Sequence, residues 1–574
     1  MGWEMTEDYY IGIDLGTTYS CLAFVDDVED QPTVDKNFEQ EETTPSVILF
    51  NDNGEIIVGS PAKEMSVMYP ADRTVTAIKR KMGEDYKITV DGKEYTPVTL
   101  SAAILKKMIN DFNDNHACDV KRAVITCPAY FGHEEREATK LAGKVAGLED
   151  VTIINEPTAA AISFGFGHME DGKKRVMVYD LGGGTFDVTI LEIDGNIFTA
   201  VATDGERLLG GKDWDAALTK IIVRKIAEQS GIEEEDIEAD DDIMQTLVLD
   251  SETLKKRLST AESSRGTISV GGKKIAYNVT RSEFDAATKP LIQATVDIIK
   301  RTLDSKGFTE SDIDSLLLVG GSSRMPQVRE NISEAFPGIH MELYDPDQSV
   351  AKGAALLCRS NHNAPKPTPV PVPVPDPVPE PIPDPVPEPV PDPVPEPVPD
   401  HKDETKEEDN LTKTEETKEE EEIEKPEKVI EVHNVLSKSF GICATDEDKN
   451  EYISNIIFRN EVLPITAVKT YYPMEDGQLT IKVQIYEDSA LNNDDGKRIA
   501  IEDGYMVGEF QMELPEEVTR DTPVTVKFIA SDEGILTAAV DCMDVHGDYR
   551  LQNKFQMSAG DLERSQGLME KVSR

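Results

Sequence analysis

Two short stretches share one plan and one chemistry. Residues 11–24, IGIDLGTTYSCLAF, and 178–191, VYDLGGGTFDVTIL, each run through an apolar strand, Asp-Leu-Gly, a small-residue turn and a second strand. Glycine in such a turn lets the backbone come close to a phosphate, so that N–H groups point at its oxygens. Thr17, Thr18 and Thr185 add hydroxyl donors at the same edge. Asp14 and Asp180 fall at strand ends, the usual place for ligand groups in an α/β sheet. A carboxylate cannot bind phosphate directly and needs a cation between the two. Mg²⁺ keeps several of its waters, so aspartates acting through water suit it. A third turn, Gly320–Gly321 in LLLVGGSSRMPQVRE (316–330), precedes a helix and would hold the other end of a nucleotide. One Asp-Leu-Gly is weak evidence; two facing each other, with a Gly-Gly turn, point to a nucleotide cleft.

The elements that must position these groups are legible from periodicity. YYIGIDLG, AVITCPAY, VMVYDLGG and SLLLVGG are short apolar runs ending in turn residues, as strands do. Residues 133–147, 212–229, 240–263 and 281–304 have helical spacing. This alternation predicts α/β layering around mostly parallel sheets over 8–360. The two Asp-Leu-Gly copies, ~170 residues apart, predict a duplicated lobe rather than a solenoid, whose repeats are shorter. Residues 429–557 change character: QLTIKVQIYED, MVGEFQMEL, TPVTVKFIASDEGILTAAVDC and YRLQNKFQM alternate apolar and polar side chains, predicting an antiparallel β-sandwich. Ser558 followed by Asp561 reads as a helix-start cap, so 558–574 are expected to form a short C-terminal helix.

Between the two regions, residues 369–399 repeat Pro-Val-Pro-acid. Proline at every second position favours polyproline II at ~3.1 Å per residue, enough for ~35 residues to hold the halves on the order of 100 Å apart. Residues 400–428 are strongly charged and lack aromatics, so 361–428 is expected to be a disordered linker, proline-rich and then acidic. An inert spacer is the plainer expectation for the repeat, and a dock for proline-recognising domains the sharper one.

The 574 residues exceed one core, and a net charge of −51 without a basic stripe argues against nucleic acid as a partner. The six cysteines are scattered, with no C-x-x-C, and read as buried reduced thiols. MGWEMTEDYY lacks the features of a signal peptide, and no apolar run reaches ~20 residues, so no membrane span and a cytoplasmic location are expected.

The order of GIDLGTTYSCLAF, TPSVILF, AIKRKMG, VITCPAYF, IINEPTAAAISFG, YDLGGGTFDVTILEI, LGGKDWD, LVGGSSRMPQV and DPDQSVAKGAAL resembles that of the 70-kDa heat-shock chaperones across essentially all of 9–360. The resemblance implies an actin-like α/β fold that binds ATP and ADP with Mg²⁺ and K⁺ and hydrolyses ATP slowly. It implies that Asp14 and Asp180 organise the metal, largely through water. Gly16, Thr17, Thr18 and Tyr19 match the first phosphate loop, and Gly182, Gly183, Gly184 and Thr185 the second, with Gly210 and Gly211 nearby. Lys79 matches the lysine that positions the attacking water and stabilises charge on the γ-phosphate; Glu156, Asp187 and Thr185 complete that set. Glu252, Lys255, Lys256, Ser259, Gly320, Gly321, Ser322, Arg324 and Asp347 match the adenosine side. Lys256 stands where the family usually has arginine, which stacks on adenine better, so a lower nucleotide affinity is expected.

Residues 435–557 resemble the chaperones' substrate-binding sandwich, with pocket positions at Ile442, Tyr471, Ile481, Val483 and Ile535 for one aliphatic side chain of an extended peptide. Tyr471 replaces phenylalanine. The helical lid is expected to be nearly absent, with faster peptide release as the consequence. Pro128 and Arg136 match an allosteric relay. The coupling linker corresponds to VIEVHNVLSKSFGI (429–442), retaining Ile430 and Val432. Asn434 and Thr152 replace both partners of an ion pair found in bacterial members, so J-domain recruitment is expected to depart from the usual manner. Unfolded or apolar peptides, J-domain proteins and nucleotide-exchange factors are the implied partners. The expected function is an ATP-driven chaperone with weakened interdomain coupling. A nucleotide-holding scaffold with little turnover and a sugar-kinase-like enzyme are the alternatives.

Overall fold

The computed structural model describes residues 9–26, 31–167, 172–363, 429–488, 498–550 and 557–573. The Pro-Val repeat, the acidic stretch and the extreme N-terminus of the expectations above lie outside the described residues.

The two Asp-Leu-Gly stretches become two hairpins, each at the centre of its own sheet. In the first lobe the order is Asp150–Asn155, Arg122–Cys127, Tyr10–Asp14, Tyr19–Val25, Thr33–Val34. In the second it is Met341–Leu343, Ser315–Val319, Lys174–Leu181, Phe186–Asp194, Ile197–Glu206. Numbered by appearance within each lobe, both orders are 5-4-1-2-3, the signature of one lobe used twice. The hairpins pair antiparallel and the remaining neighbours of the first strand pair parallel, so the sheets are mixed. The expectation of mostly parallel sheets holds for one half of each, because a tight Gly turn can only return its strand antiparallel.

Helices Glu156–Phe166 and Ser349–Asn363 cross between the lobes. Their approach needs glycine: a Cβ on Gly353 would stand 1.7 Å from the Ala159 carbonyl oxygen. Alanines of both helices share an apolar core with strands of both sheets. Of the predicted helices, three appear as His133–Val145, Gly211–Ser230 and Arg281–Asp304. The fourth stops at Leu258, and 263–280 form the hairpin Ser263–Val270 with Lys273–Thr280 instead of continuing it. That hairpin carries the strand alternation of burial, with Ile268, Val270, Ile275, Tyr277 and Val279 inward.

The C-terminal region is a sandwich of two four-stranded antiparallel sheets. One runs Glu451–Ile457, Ser439–Thr445, Gln478–Asp488, Gly504–Val518; the other runs Ile465–Tyr471, Val524–Ala530, Leu536–Cys542, Val545–Arg550. The last helix, Ala559–Met569, starts as expected: Ser558 Oγ accepts from Asp561 N at 3.2 Å, closing a capping box. It packs against helices Pro97–His116 and His133–Val145, and Met569 and Val572 enter the first lobe's core. Ile56 N donates to Lys571 O and Ser573 N to Ile56 O, both at 2.9 Å, adding the tail to an edge strand. All six cysteines are free thiols, and four are buried. No helix among the described residues is long and apolar enough to cross a membrane.

Candidate functional site

The two hairpin turns meet tip to tip between the lobes. A Cβ on Gly183 would lie 2.0 Å from Thr18 Oγ1, and one on Gly184 2.3 Å from Thr17 Cγ2, so only glycine lets the turns close on one another. Ser46 N donates to Thr18 O (2.8 Å) and Ser46 Oγ to Gly16 O (2.7 Å), fixing the first turn. The second is tied from behind: Gly211 N donates to Gly182 O (2.9 Å), Lys212 N to Gly183 O (2.8 Å) and Ser322 Oγ to Gly182 O (2.9 Å).

The cleft they face has a volume of about 960 Å³. Its lining holds Asp14, Gly16, Thr17, Thr18, Tyr19, Lys79, Glu156, Asp180, Gly182, Gly183, Thr185, Glu252, Lys255, Lys256, Ser259, Gly320, Gly321, Ser322, Arg324 and Asp347, together with Leu343, Asp345 and Gln348. Gly184, Asp187, Gly210 and Gly211 do not line it. Gly210 N donates to Asp213 Oδ2 and Gly211 O accepts from Lys255 Nζ, both at 2.8 Å, so this pair braces the second turn. Asp187 is buried; its Oδ1 accepts from Tyr130 N at 3.2 Å, and its Oδ2 has no hydrogen-bond partner among the described residues.

At the floor of the cleft Lys79 makes a short ion pair with Glu156, both side chains buried. Burial works against the Lys79 charge, but the Glu156 and Asp14 carboxylates outweigh it and hold the ammonium above its ordinary pKa. Burial, then Glu156, pushes Asp14 up to about 7, although Thr126 Oγ1 donates to it at 3.3 Å. Burial followed by Glu156 also raises Asp180 and Asp187 well above the carboxylate range. Four carboxylates thus face one lysine, an excess of negative charge that a divalent cation would relieve, so these residues fit Mg²⁺. Among the described residues no three His, Cys, Asp or Glu side chains converge as a metal cage. An ion here would complete its shell with water and phosphate oxygens.

Sequence reasoning did not foresee the latch over the mouth. Lys63, in the short helix Ser60–Met65 that carries no motif, reaches Glu252 Oε2 at 2.5 Å and Tyr19 OH at 2.9 Å. Lys256 meets the same Glu252 and Tyr19 groups at 2.8 Å and sits 4.3 Å above the Tyr19 ring. Burial opposes the Glu252 charge, but Lys63 and Lys256 bring its pKa down to about 2. The latch therefore stays ionised through the neutral range.

The sandwich is joined to this machinery. Strand Glu431–His433 pairs parallel with the start of Ile197–Glu206, and Ile430 is buried, its N donating to Ser360 Oγ at 2.7 Å. Asn434 Oδ1 accepts from Thr158 Oγ1 (3.0 Å) and Asn155 Nδ2 (3.3 Å), so a neutral residue satisfies this buried position. Glu533 takes Lys140 Nζ at 2.5 Å and Ile153 N at 3.1 Å, while its carbonyl accepts from Arg136 Nη1 at 3.3 Å. Arg136 also donates to the carbonyls of Phe131 and Ala129, just beyond buried Pro128. Thr152 lies in the parallel pairing beside Ile153.

Of the peptide-pocket candidates, Ile442, Ile481 and Val483 are buried together in the sandwich. Tyr471 packs at its edge with its hydroxyl 3.1 Å from Ser454 Oγ. Ile535 is half-buried outside that cluster and follows Gly534 between Val524–Ala530 and Leu536–Cys542, its N donating to Ser531 Oγ at 3.2 Å.

A family model described as "Hsp70 protein" matches residues 10–364. The chain is 42% identical over 360 residues to "Chaperone protein DnaK" of Thermotoga petrophila and, equally, of Thermotoga sp. strain RQ2, covering 61% of this chain and 59% of each relative. The chain therefore matches about three fifths of the length of these curated relatives. Two lobes of identical strand order, a cleft lined by both Asp-Leu-Gly turns and a family match over most of the chain agree: this chain belongs to the Hsp70 family, with actin-like lobes followed by a β-sandwich.

Proposed function

We propose that the chain is an ATP-dependent molecular chaperone that binds exposed apolar peptide segments and hydrolyses ATP slowly. The observation that carries this reading is the buried Lys79–Glu156 pair beside Asp14 and Asp180, at the meeting of two Gly-rich turns. Phosphoryl transfer asks a protein mainly for positioning and for charge aimed at the phosphate oxygens. The turn amides and the Thr17, Thr18 and Thr185 hydroxyls bind phosphate. Lys79, held by Glu156, presents a fixed positive charge where the γ-phosphate oxygens become more negative. Asp187, buried with one oxygen free of protein partners, orients a water. Asp14 and Asp180 would hold Mg²⁺ largely through water, and the ion would supply neutralisation of phosphate charge; the family resemblance adds K⁺.

The sandwich serves as the peptide site, with Ile442, Tyr471, Ile481, Val483 and Ile535 around the bound side chain. The docked strand Glu431–His433 supports coupling of the two sites through Ile430 and Val432. Pro128 and Arg136 form the relay, since Arg136 touches the Glu533 carbonyl of the sandwich. Apolar peptides and nucleotide-exchange factors are the proposed partners. J-domain proteins are proposed to use a contact other than the usual ion pair, and the cytoplasm is the proposed compartment.

The test is ATP turnover in the wild type and in Lys79→Ala, with and without an apolar peptide. Slow turnover that the peptide accelerates, falling on the order of a hundredfold or more in Lys79→Ala, is expected. Turnover equal in the two proteins would overturn the assignment.

A further inference from the structure

Lys79 sits in the short 3₁₀ turn Ile78–Lys81, entered through Ala77 at φ 55°. Such a turn leaves carbonyls at its C-terminal end without partners inside the turn, and a cation there satisfies both their hydrogen bonds and their dipoles. The cation comes from the other lobe. Arg207, just past the strand Ile197–Glu206, donates Nη2 to Arg80 O at 2.5 Å and to Met82 O at 3.4 Å. Arg80 makes the reverse crossing: its Nε donates to Gly184 O at 2.8 Å, and its Nη2 pairs with Asp213 at 2.6 Å. The two arginines thus clasp the Lys79 turn and the second phosphate turn to each other. Neither motif matching nor periodicity marks Arg207, which lies in a loop between matched segments.

We propose that Arg207 is a positioning residue for Lys79: it caps the turn from the second lobe and so fixes where the ammonium stands. Two carboxylates hold Arg207 in place, Glu84 at 2.6 Å and Glu135 at 3.7 Å. Glu135 in turn faces the sandwich. A Cβ on Gly132 would stand 3.1 Å from Glu135 Oε2 and 2.6 Å from Glu487 Oε2, so the two carboxylates crowd one point. Docking of the sandwich therefore brings Glu487 beside a partner of Arg207, and the grip on the Lys79 turn responds to whether the sandwich is seated. The catalytic part of this proposal rests on the ATPase reading above; the capping part does not.

The experiment measures ATP affinity, single-turnover hydrolysis and hydrogen exchange of residues 78–84 in wild type, Arg207→Ala and Arg207→Lys. In Arg207→Ala, hydrolysis is expected to fall roughly tenfold or more, the scale of a misplaced catalytic group, while ATP affinity changes by less than about threefold. Exchange of 78–84 rises selectively, and Arg207→Lys recovers part of both effects because it keeps a charged donor. Unchanged hydrolysis with unchanged exchange overturns the proposal, as does a uniform rise in exchange across both lobes, which would mean general loosening. Absence of turnover in the wild type refutes the ATPase reading alone, and the exchange of 78–84 then still decides whether Arg207 caps the turn.

Discussion

Arg459 is the side chain whose removal tests how the sandwich is held. It reaches from the sandwich into the second lobe, donating Nη2 to Thr203 O at 2.6 Å and pairing with Asp204 Oδ1 at 2.9 Å. Asp204 is buried at 8% exposure and takes Arg301 at 3.1 Å on its other oxygen. Burial pushes the Asp204 carboxyl up, but the two guanidiniums, Arg459 foremost, bring it below its ordinary pKa. Truncating one partner of a buried pair costs about 3–5 kcal/mol, because the other charge stays behind. Here half-exposed Arg301 keeps part of the compensation, so we expect Arg459→Ala to cost docking about 2–4 kcal/mol. At about 1.4 kcal/mol per decade this moves the docked-to-undocked ratio by roughly 30- to 1,000-fold. Energy transfer between dyes on the second lobe and the sandwich reads that ratio with ATP bound. Asp204→Ala combined with Arg459→Ala should be less harmful than the two single losses added, because the only charge then left without this partner is that of half-exposed Arg301, which water can reach. A ratio within about threefold of wild type in Arg459→Ala would show that the pair does not hold the interface.

Two further outcomes are expected. Burial, with Glu135 next, raises Glu487 to about 8 in the docked protein, against an ordinary value of 4.5. Docking with a raised pKa takes up a proton, so this contribution is whole below about 4.5, is lost progressively as pH rises and is gone above about 8; energy transfer should therefore fall between about pH 5 and 8 and level off above it. Glu487→Gln should flatten that fall, and an identical profile in the variant would contradict the assignment. Gly353→Ala drives a methyl group against the Ala159 carbonyl at the crossing of the two interlobe helices, and overpacking of this kind costs about 1–3 kcal/mol or more. Calorimetry should show a lowered unfolding midpoint for the lobes, and an unchanged midpoint would mean the helices separate freely.

The floor of the cleft was legible because its chemistry is local. An Asp-Leu-Gly hairpin carries its strand, turn and carboxylate within a few residues, so Asp14, Thr17, Thr18, Asp180 and Thr185 could be named together, and the echo between 11–24 and 178–191 becomes two sheets of one strand order. The Ser558 cap was legible for the same reason. What could not be read was the partner of each long side chain. Lys63 and Glu252 are 189 residues apart, Arg207 and Glu84 123, and Lys140 and Glu533 393; nothing in local spacing marks them. Ile535 shows the same limit from the other side. Its apolar character suits a pocket, but it lies beside the tight turn at Gly534 and outside the buried cluster, a placement that local sequence does not mark. The helix Ala559–Met569 was legible as a helix, while its seat on the first lobe depends on Met569 and Val572 finding a core more than 400 residues upstream.

The coupling proposed above has nucleotide in the cleft govern peptide on the sandwich through the docked strand Glu431–His433. Its most direct test is the dissociation rate of a fluorescent apolar peptide from the full chain, measured once with ATP and once with ADP. Faster release with ATP, abolished by Ile430→Asp, is the predicted result. The same rate with both nucleotides would contradict it.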